Sequence, residues 1–460
     1  MMEYAVNHYR SRDFDDFVLV TTDHGSHVLL TRDEFSKLSE VNLDESPSLM
    51  KKLEEREILL TQENIYECFR LQRKRHDFLY RGASLHIMAV TSRCDMNCVY
   101  CQSGARGADA KGSDMSRETA KKSVDFIFKS PSKTITIEFQ GGEPLLNWDV
   151  VSYVMRYAHD KARETNKNLN LALVTNLNNM DEEKMRFLID WHVNICTSLD
   201  GPRELHDRNR PKKKGSNYDT VTYWMGRISQ ECERRGRKGG VSAIPTITKR
   251  SLDYPRAIVD EYASRGLTTL HLRFLHNLGA ARAAWESIHY TSDEFMAFWE
   301  KALARIKELR SRGYAIAERM VDIMIRKFAE ECDPGYTDLR SPCGAVISQL
   351  VYDHDGGIYS CDEGRMVGGE TFRLGDVHSD TYAGVTTCDN ACAVINASLN
   401  DQYICDSCAY KPFCGICPVC NYAEQGNLIG KVAESDRCSI FMKQFDWVVT
   451  HILKPQELKD

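Results

Sequence analysis

Apolar and polar positions divide the chain into three regions of different texture. Between about residues 83 and 280, short apolar runs alternate with longer stretches of helical period. Strands are predicted at Leu85–Thr91, Thr134–Phe139, Leu169–Thr175, Val193–Ser198, Val241–Thr248 and Thr269–Phe274. Helices are predicted near 115–130, 149–165, 181–191, 218–235 and 252–265. This alternation predicts the α/β class, a parallel sheet with crossover helices. In such folds chemistry gathers in the loops after the strands' C-terminal ends.

The first 80 residues read as a separate small module. Phe17-Val-Leu-Val-Thr-Thr and His27-Val-Leu-Leu-Thr form strand-like runs joined by the turn residues Asp23-His-Gly-Ser. Thr31-Arg-Asp-Glu has the form of a capping box, Phe35 and Leu38 follow at helical spacing, and Ser46–Leu59 reads as another helix. Such a module is either a plain N-terminal decoration or a winged-helix-like domain whose sheet edge takes up a peptide as an added strand. Two helices are predicted over 292–330. From Cys343 onward loops are expected, closed by a helix over Ser439–Leu453. The expected division is 1–80, a barrel at 81–285, a helical bridge at 286–335 and a cysteine-rich domain at 336–460.

A chain of 460 residues exceeds one ordinary core. A net charge of −6 gives no basic footprint for nucleic acid. There is no apolar run of the roughly 18 residues that would suggest a membrane span. The Met-Met-Glu-Tyr-Ala-Val-Asn-His start lacks the basic and apolar parts of a signal peptide, so a cytoplasmic protein is expected. Seventeen cysteines change the picture, because eleven fall between Cys332 and Cys438 in short-spaced clusters. Disulfide frameworks belong to small secreted domains, so metal or iron–sulfur ligation is the better reading. Cys68, Cys196 and Cys232 stand alone and read as small apolar residues.

Cys94, Cys98 and Cys101 offer three thiolates from one short loop directly after the first strand, with Tyr100 beside the last. Three ligands on a [4Fe-4S] cluster leave one iron open to chelate a small molecule, as a catalytic zinc keeps an open position. Glu138-Phe-Gln-Gly-Gly-Glu-Pro144 follows the second strand. Its glycines permit close backbone approach, and a carboxylate such as Glu143 suits an ammonium group. Asn176, Ser198 and Asp200 end the third and fourth strands, where small polar groups either cap helices or meet a ligand. Arg210 is either a bidentate partner for a carboxylate or one more charge in an exposed basic run, Arg210–Lys214.

With these motifs the chain resembles the radical S-adenosylmethionine (SAM) superfamily, through Cys94-x3-Cys98-x2-Cys101 and Gly141-Gly-Glu-Pro144. The resemblance implies a partial (β/α)6 TIM-like barrel. Its [4Fe-4S] cluster would bind SAM and cleave it reductively to a 5′-deoxyadenosyl radical. Gly141, Gly142 and Glu143 would bind the methionine amino group, and Asn176, Ser198 and Arg210 the ribose or carboxylate. The C-terminal cysteines resemble a SPASM domain, which carries two auxiliary [4Fe-4S] clusters. Cys405, Cys408, Cys414 and Cys438 would complete one cluster; Cys343 and Cys361 would share the other with a cysteine of the block. That pattern expects its last block cysteine where Pro418 stands, flanked by Cys417 and Cys420, of which Cys417 is preferred. A fourth cysteine near 349 is absent, leaving that cluster open or filled by Cys388, Cys392 or Cys420. A pair of structural zinc sites is the alternative for these cysteines. Asp362, directly after Cys361, matches a proposed substrate base in sulfatase-maturing relatives, or else braces its loop.

Within the SPASM proteins, Ile137-Glu-Phe-Gln-Gly-Gly-Glu-Pro-Leu-Leu-Asn147, Thr197-Ser-Leu-Asp-Gly-Pro, Tyr359-Ser-Cys-Asp-Glu-Gly-Arg-Met366 and Cys408-Ala-Tyr-Lys-Pro-Phe-Cys-Gly415 are similar to the His-Xaa-Ser system maturases of the HxsB kind. The resemblance implies an oxidoreductase that modifies, and commonly cross-links, a ribosomally synthesised precursor peptide. An external one-electron reductant such as flavodoxin or ferredoxin would serve it, and residues 1–80 would hold the peptide's leader. The rival readings are a sulfatase-type maturase forming formylglycine and a zinc-stabilised interaction scaffold.

Overall fold

A computed structural model describes residues 4–237 and 240–454. Its centre is an eight-stranded sheet in the order Val241–Ile244, Asn194–Ser198, Asn168–Val174, Thr134–Gly141, Leu85–Thr91, Gln349–Tyr352, Gly357–Tyr359, Arg373–Asp376. The first six strands run parallel. The last two close it as an antiparallel ribbon. Helices Arg117–Ile127, Trp148–Thr165, Glu182–Asp190, Asn217–Arg234 and Pro255–Ser264 follow the parallel strands. Each turns an apolar stripe inward; on Trp148–Thr165 it is Val150, Val151, Val154, Met155 and Ala158. Full burial of each large apolar side chain contributes roughly 1.5–3 kcal/mol.

The expected sixth barrel strand is a correction. Only Thr269–Leu270 is extended, and it pairs with Ala317–Glu318 outside the main sheet. Thr246 and Arg273 form a single parallel bridge back to the barrel. The Leu272 N–H donates to a carboxylate oxygen of Glu318 (3.2 Å) instead of to a strand. The sheet grows instead at its other side, where Gln349–Tyr352 from the cysteine-rich region pairs with Leu85–Thr91. That region is also more helical than predicted, with Asp389–Ala397 and Pro418–Gln425 among its helices.

Glu318 is 3% exposed, and its second oxygen accepts the Val321 N–H at 2.8 Å. Burial pushes its pKa from the ordinary 4.5 up to about 7. The folded chain therefore binds this proton more tightly than the unfolded chain. Stability is lost as pH rises across that interval. Glu318→Gln is expected to flatten the slope by up to about 3 kcal/mol, read from denaturant melts at its two ends. An unchanged slope would show that this carboxyl is not the titrating group.

At the N-terminus, Tyr9–Asp13, Phe17–Thr22 and His27–Thr31 form a three-stranded antiparallel sheet. Thr31 and Glu34 make the predicted capping box. The expected helix over Ser46–Leu59 is shorter, Pro47–Glu54; Glu57 takes a positive φ of 50°, and Leu59–Leu60 pairs with Ala5–Val6. One face of the sheet (Val18, Val20, Val28, Leu30) closes a small core with Leu38, Leu49 and Leu53. The other face, through Phe17, Leu19 and Leu29, joins the main core. Thr21 Oγ1 donates to the Ala409 carbonyl (2.7 Å), and the Arg12 guanidinium grips Asp446. Among the described residues no helix is long and apolar enough to cross a membrane.

Candidate functional site

The loops after four parallel strands meet at one edge of the sheet. The Leu85–Thr91 strand leads into the cysteine loop, whose base is fixed by a two-pronged bond from Arg93 to Asp114 (2.8 and 2.7 Å). The next strand ends at Gly141 and Gly142, where the Gly142 N–H donates to Thr91 O (2.8 Å) and the Glu143 N–H to Arg93 O (2.7 Å). These contacts need bare glycine. A Cβ on Gly141, at φ +137°, would stand 2.1 Å from Thr91 O, and one on Gly142 would stand 2.2 Å from Arg93 O.

A cavity of about 220 Å³ opens there. Cys94, Cys98, Cys101, Tyr100, Gly142, Asn176, Ser198 and Arg210 all line it. Burial pushes the Cys94 thiol up to about 12 and the Cys98 thiol up to about 11, while the Arg210 charge pulls Cys98 back. Positive charge and metal ions both favour thiolate. Arg210 is buried, so it is no part of an exposed charge run. Its Nη1 donates to the Tyr100 hydroxyl (2.8 Å), and its buried Nε has no partner. Tyr100 in turn donates to both carboxylate oxygens of Asp200 (2.8 and 2.9 Å). Asp200 thus steadies Tyr100 instead of facing the cavity.

Glu143 is turned into the wall. Its carboxylate accepts from Thr175 Oγ1 (2.7 Å), the Asn176 N–H (2.8 Å) and the Leu145 N–H (3.0 Å). Burial pushes it up to about 7. The carboxylate locks the second loop to the third, and Gly142 presents the loop's backbone to the cavity. Asn176 Nδ2 donates to Asp95 (2.8 Å), which ties the third loop to the cysteine loop. Asp95, Thr246 and Met366 are site residues that the motifs did not single out. Thr246 follows the Val241–Ile244 strand and was findable by the strand-end rule; Met366 arrives from the cysteine-rich region and has no local signal.

Eight of the remaining cysteines gather in two sets. Cys405, Cys408, Cys414 and Cys438 act on one another electrostatically. Cys343, Cys361 and Cys417 do the same, and Cys420 acts on Cys417. The block therefore brings both Cys417 and Cys420 to the set of Cys343 and Cys361. Cys388 instead caps the Asp389–Ala397 helix, and Cys392 is exposed. Among the described residues no three cysteine sulfurs lie within 4.8 Å of one another. Thiolates around zinc, at Zn–S of about 2.3 Å, stand about 3.8 Å apart. Asp362 begins a short helix capped by the Cys361 sulfur, and its Oδ1 accepts from Arg365 Nη2 (3.0 Å) and Nε (3.2 Å).

Residues 88–227 match the sequence model of the Radical SAM superfamily. A Methanocaldococcus jannaschii protein, "Uncharacterized protein MJ0907", is 33% identical over 29% of this chain but only 45% of its own length. A Methanothermobacter thermautotrophicus protein is 28% identical over 40% of this chain and 65% of its own length. The matches to these two thus span less than two thirds of either relative. The cysteine-type anaerobic sulfatase-maturating enzyme of Clostridium novyi is 21% identical over 73% of this chain and 87% of that enzyme. Among solved structures, anSMEcpe with bound AdoMet superposes with a TM-score of 0.66 at 18% identity, covering 82% of this chain and all of that one. Streptococcus suis SuiB bound to precursor peptide SuiA gives 0.54 at 13%, covering 93% and 98%. The α/β fold, with its parallel sheet and its cysteine-rich C-terminal region of SPASM type, is the one these structures share. Over residues 88–227, this chain is similar to the radical SAM superfamily.

Proposed function

We propose that the protein is a radical SAM enzyme that oxidatively modifies a ribosomally synthesised peptide, most simply by installing a cross-link. The observation that carries this reading is the convergence of Cys94, Cys98 and Cys101 with Gly142, Asn176, Ser198 and Arg210 on one cavity. The three thiols would hold a [4Fe-4S] cluster whose open iron takes SAM. Bound there, cluster and SAM supply one-electron cleavage of the sulfonium and hydrogen-atom abstraction. The chain's own groups do the rest. Arg210 offers its free Nε–H to the SAM carboxylate, Gly142 lets the backbone approach the methionine end, and the surrounding loops exclude water. The two four-thiol sets would hold auxiliary [4Fe-4S] clusters, which exchange single electrons. With Oδ1 held by Arg365, Asp362 Oδ2 is the atom free to accept a substrate proton.

A precursor-peptide substrate is supported by the likeness to SuiB, solved with its precursor peptide SuiA, which extends over 93% of the chain against 82% for anSMEcpe. A second reading is favoured by Asp362 and by the clostridial relatives: formation of formylglycine from a Cys or Ser of a sulfatase. The test is anaerobic purification, iron and sulfide analysis, and turnover with SAM, dithionite and the precursor peptide encoded beside the gene. Three clusters of this kind amount to about twelve irons per chain. Formation of 5′-deoxyadenosine with a peptide lighter by two hydrogens is expected. An unaltered precursor together with an aldehyde on a sulfatase peptide would favour the second reading. Zinc without iron would overturn both.

A further inference from the structure

Arg437 lies between the two C-terminal thiol sets. It directly precedes Cys438 at the start of the Asp436–Val448 helix and is 8% exposed. It lines a cavity of about 460 Å³ together with Cys414 and Cys438 of one set and Cys417 of the other. Its charge acts on Cys414 from the first of these sets, and on Cys417 and Cys420 from the second.

The hydrogen bonding of this guanidinium is incomplete. Nη2 donates to the Asp338 carbonyl (2.9 Å), and the plane lies 4.8 Å from the Phe441 ring centroid. Its Nε–H is fully buried without a partner. The buried Asp338 carboxylate, which this guanidinium holds below the ordinary carboxylate range, balances its charge without an ion-pair contact among the described residues, and the Nε–H stays idle. A buried guanidinium N–H without an acceptor is costly until a good acceptor answers it. Neutral thiols cannot do so, whereas thiolate-held iron–sulfur clusters carry net negative charge and accept N–H bonds on sulfur.

Resting on the auxiliary-cluster reading above, we propose that Arg437 is a shared positioning residue for both auxiliary clusters. It donates to cluster or thiolate sulfur and holds one positive charge between the two, raising both reduction potentials together. A positive charge favours the reduced, more negative form of each cluster, and hydrogen bonds to sulfur act in the same direction. The planar fork of arginine can face two sites at once, which a lysine ammonium cannot do with fixed geometry.

The test is an EPR-monitored redox titration of the anaerobic holoenzyme and of Arg437→Gln at matched iron and sulfide content. Both auxiliary signals are expected to move to lower potential in the variant. At a fixed potential the reduced-to-oxidised ratio of each should fall about tenfold, which is about 59 mV for a one-electron couple. The signal of the SAM-binding cluster should stay in place. Unmoved auxiliary potentials, or a shift in only one of them, would overturn the proposal while leaving the clusters themselves established. A wild-type protein lacking auxiliary clusters would remove the reading on which it rests. Should Arg437→Gln fail to retain iron, pulsed EPR of the reduced wild-type holoenzyme made with isotope-labelled arginine decides instead. Arginine nitrogen coupling is expected on both auxiliary signals, and its absence from either overturns the assignment.

Discussion

Cys98→Ala is expected to abolish 5′-deoxyadenosine formation and to lower iron by about four atoms per chain, one cluster's worth. The backbone on either side of Cys98 is pinned: the Val99 N–H donates to Asn209 O (2.9 Å), and the Cys101 N–H returns to Cys98 O (3.1 Å). The loop therefore cannot slide to bring another cysteine into place. Loss of even an outer partner of a metal ligand costs roughly 10–100-fold, so loss of a direct ligand should exceed about 100-fold. Cys232→Ala, on the Asn217–Arg234 helix and away from the cavity, is the control and should keep full iron. Retained turnover in Cys98→Ala would remove the cysteine loop from the chemistry. Equal loss in both variants would point to general unfolding.

The second large effect is expected from Gly141→Ala. A methyl group there meets Thr91 O at 2.1 Å while the backbone sits at φ +137°, a region that L-residues avoid. The strain alone is about 1–3 kcal/mol. Relief requires moving Thr91 away, which breaks the Gly142–Thr91 and Glu143–Arg93 hydrogen bonds that register the glycine loop against the cysteine loop. SAM affinity, measured by calorimetry on the reconstituted protein, should fall at least about tenfold, or about 1.4 kcal/mol. Gly107→Ala has no atom within 4 Å of the new methyl and should bind SAM normally. Normal binding by Gly141→Ala would show that the two loops are not rigidly coupled.

The N-terminal sheet bears on the thiol set of Cys405, Cys408, Cys414 and Cys438. Arg12 lines the same cavity as Cys408 and Cys438, and its guanidinium lies 5.6 Å from the ring centroid of Tyr410, whose hydroxyl donates to Asp446 (2.6 Å). Arg10 Nε donates to Asp406 O (2.6 Å) within the cysteine block. The module that would hold a leader is thus packed directly against that thiol set.

Local chemistry was legible in the chain, because its signals are short in range. Three thiols within eight residues, paired glycines at a strand end and polar residues after parallel strands need only period and spacing to be found. The same holds for the Phe17–Thr22 and His27–Thr31 hairpin and the Thr31 capping box. What failed were choices between distant partners. Thr269–Phe274 has strand composition, yet Glu318, more than forty residues later, takes the Leu272 N–H and diverts it from the sheet. Gln349–Tyr352 joins the barrel's first strand from the far end of the chain.

Side-chain direction was the other thing only the tertiary structure decided. Glu143 looks like a ligand group in its motif, but three donors from neighbouring loops turn its carboxylate into the wall. Arg210 sits in a basic run, but Tyr100 and Asp200 draw it inside. Cys417 and Cys420 could not be ranked by spacing, because the Pro418–Gln425 helix delivers both to the set of Cys343 and Cys361. The sequence by itself determined which reactive groups exist and on which strand ends they stand. Which of them face the cavity, and which only hold its walls, depended on buried hydrogen bonds between segments far apart in the chain, each of which must be satisfied once water is excluded.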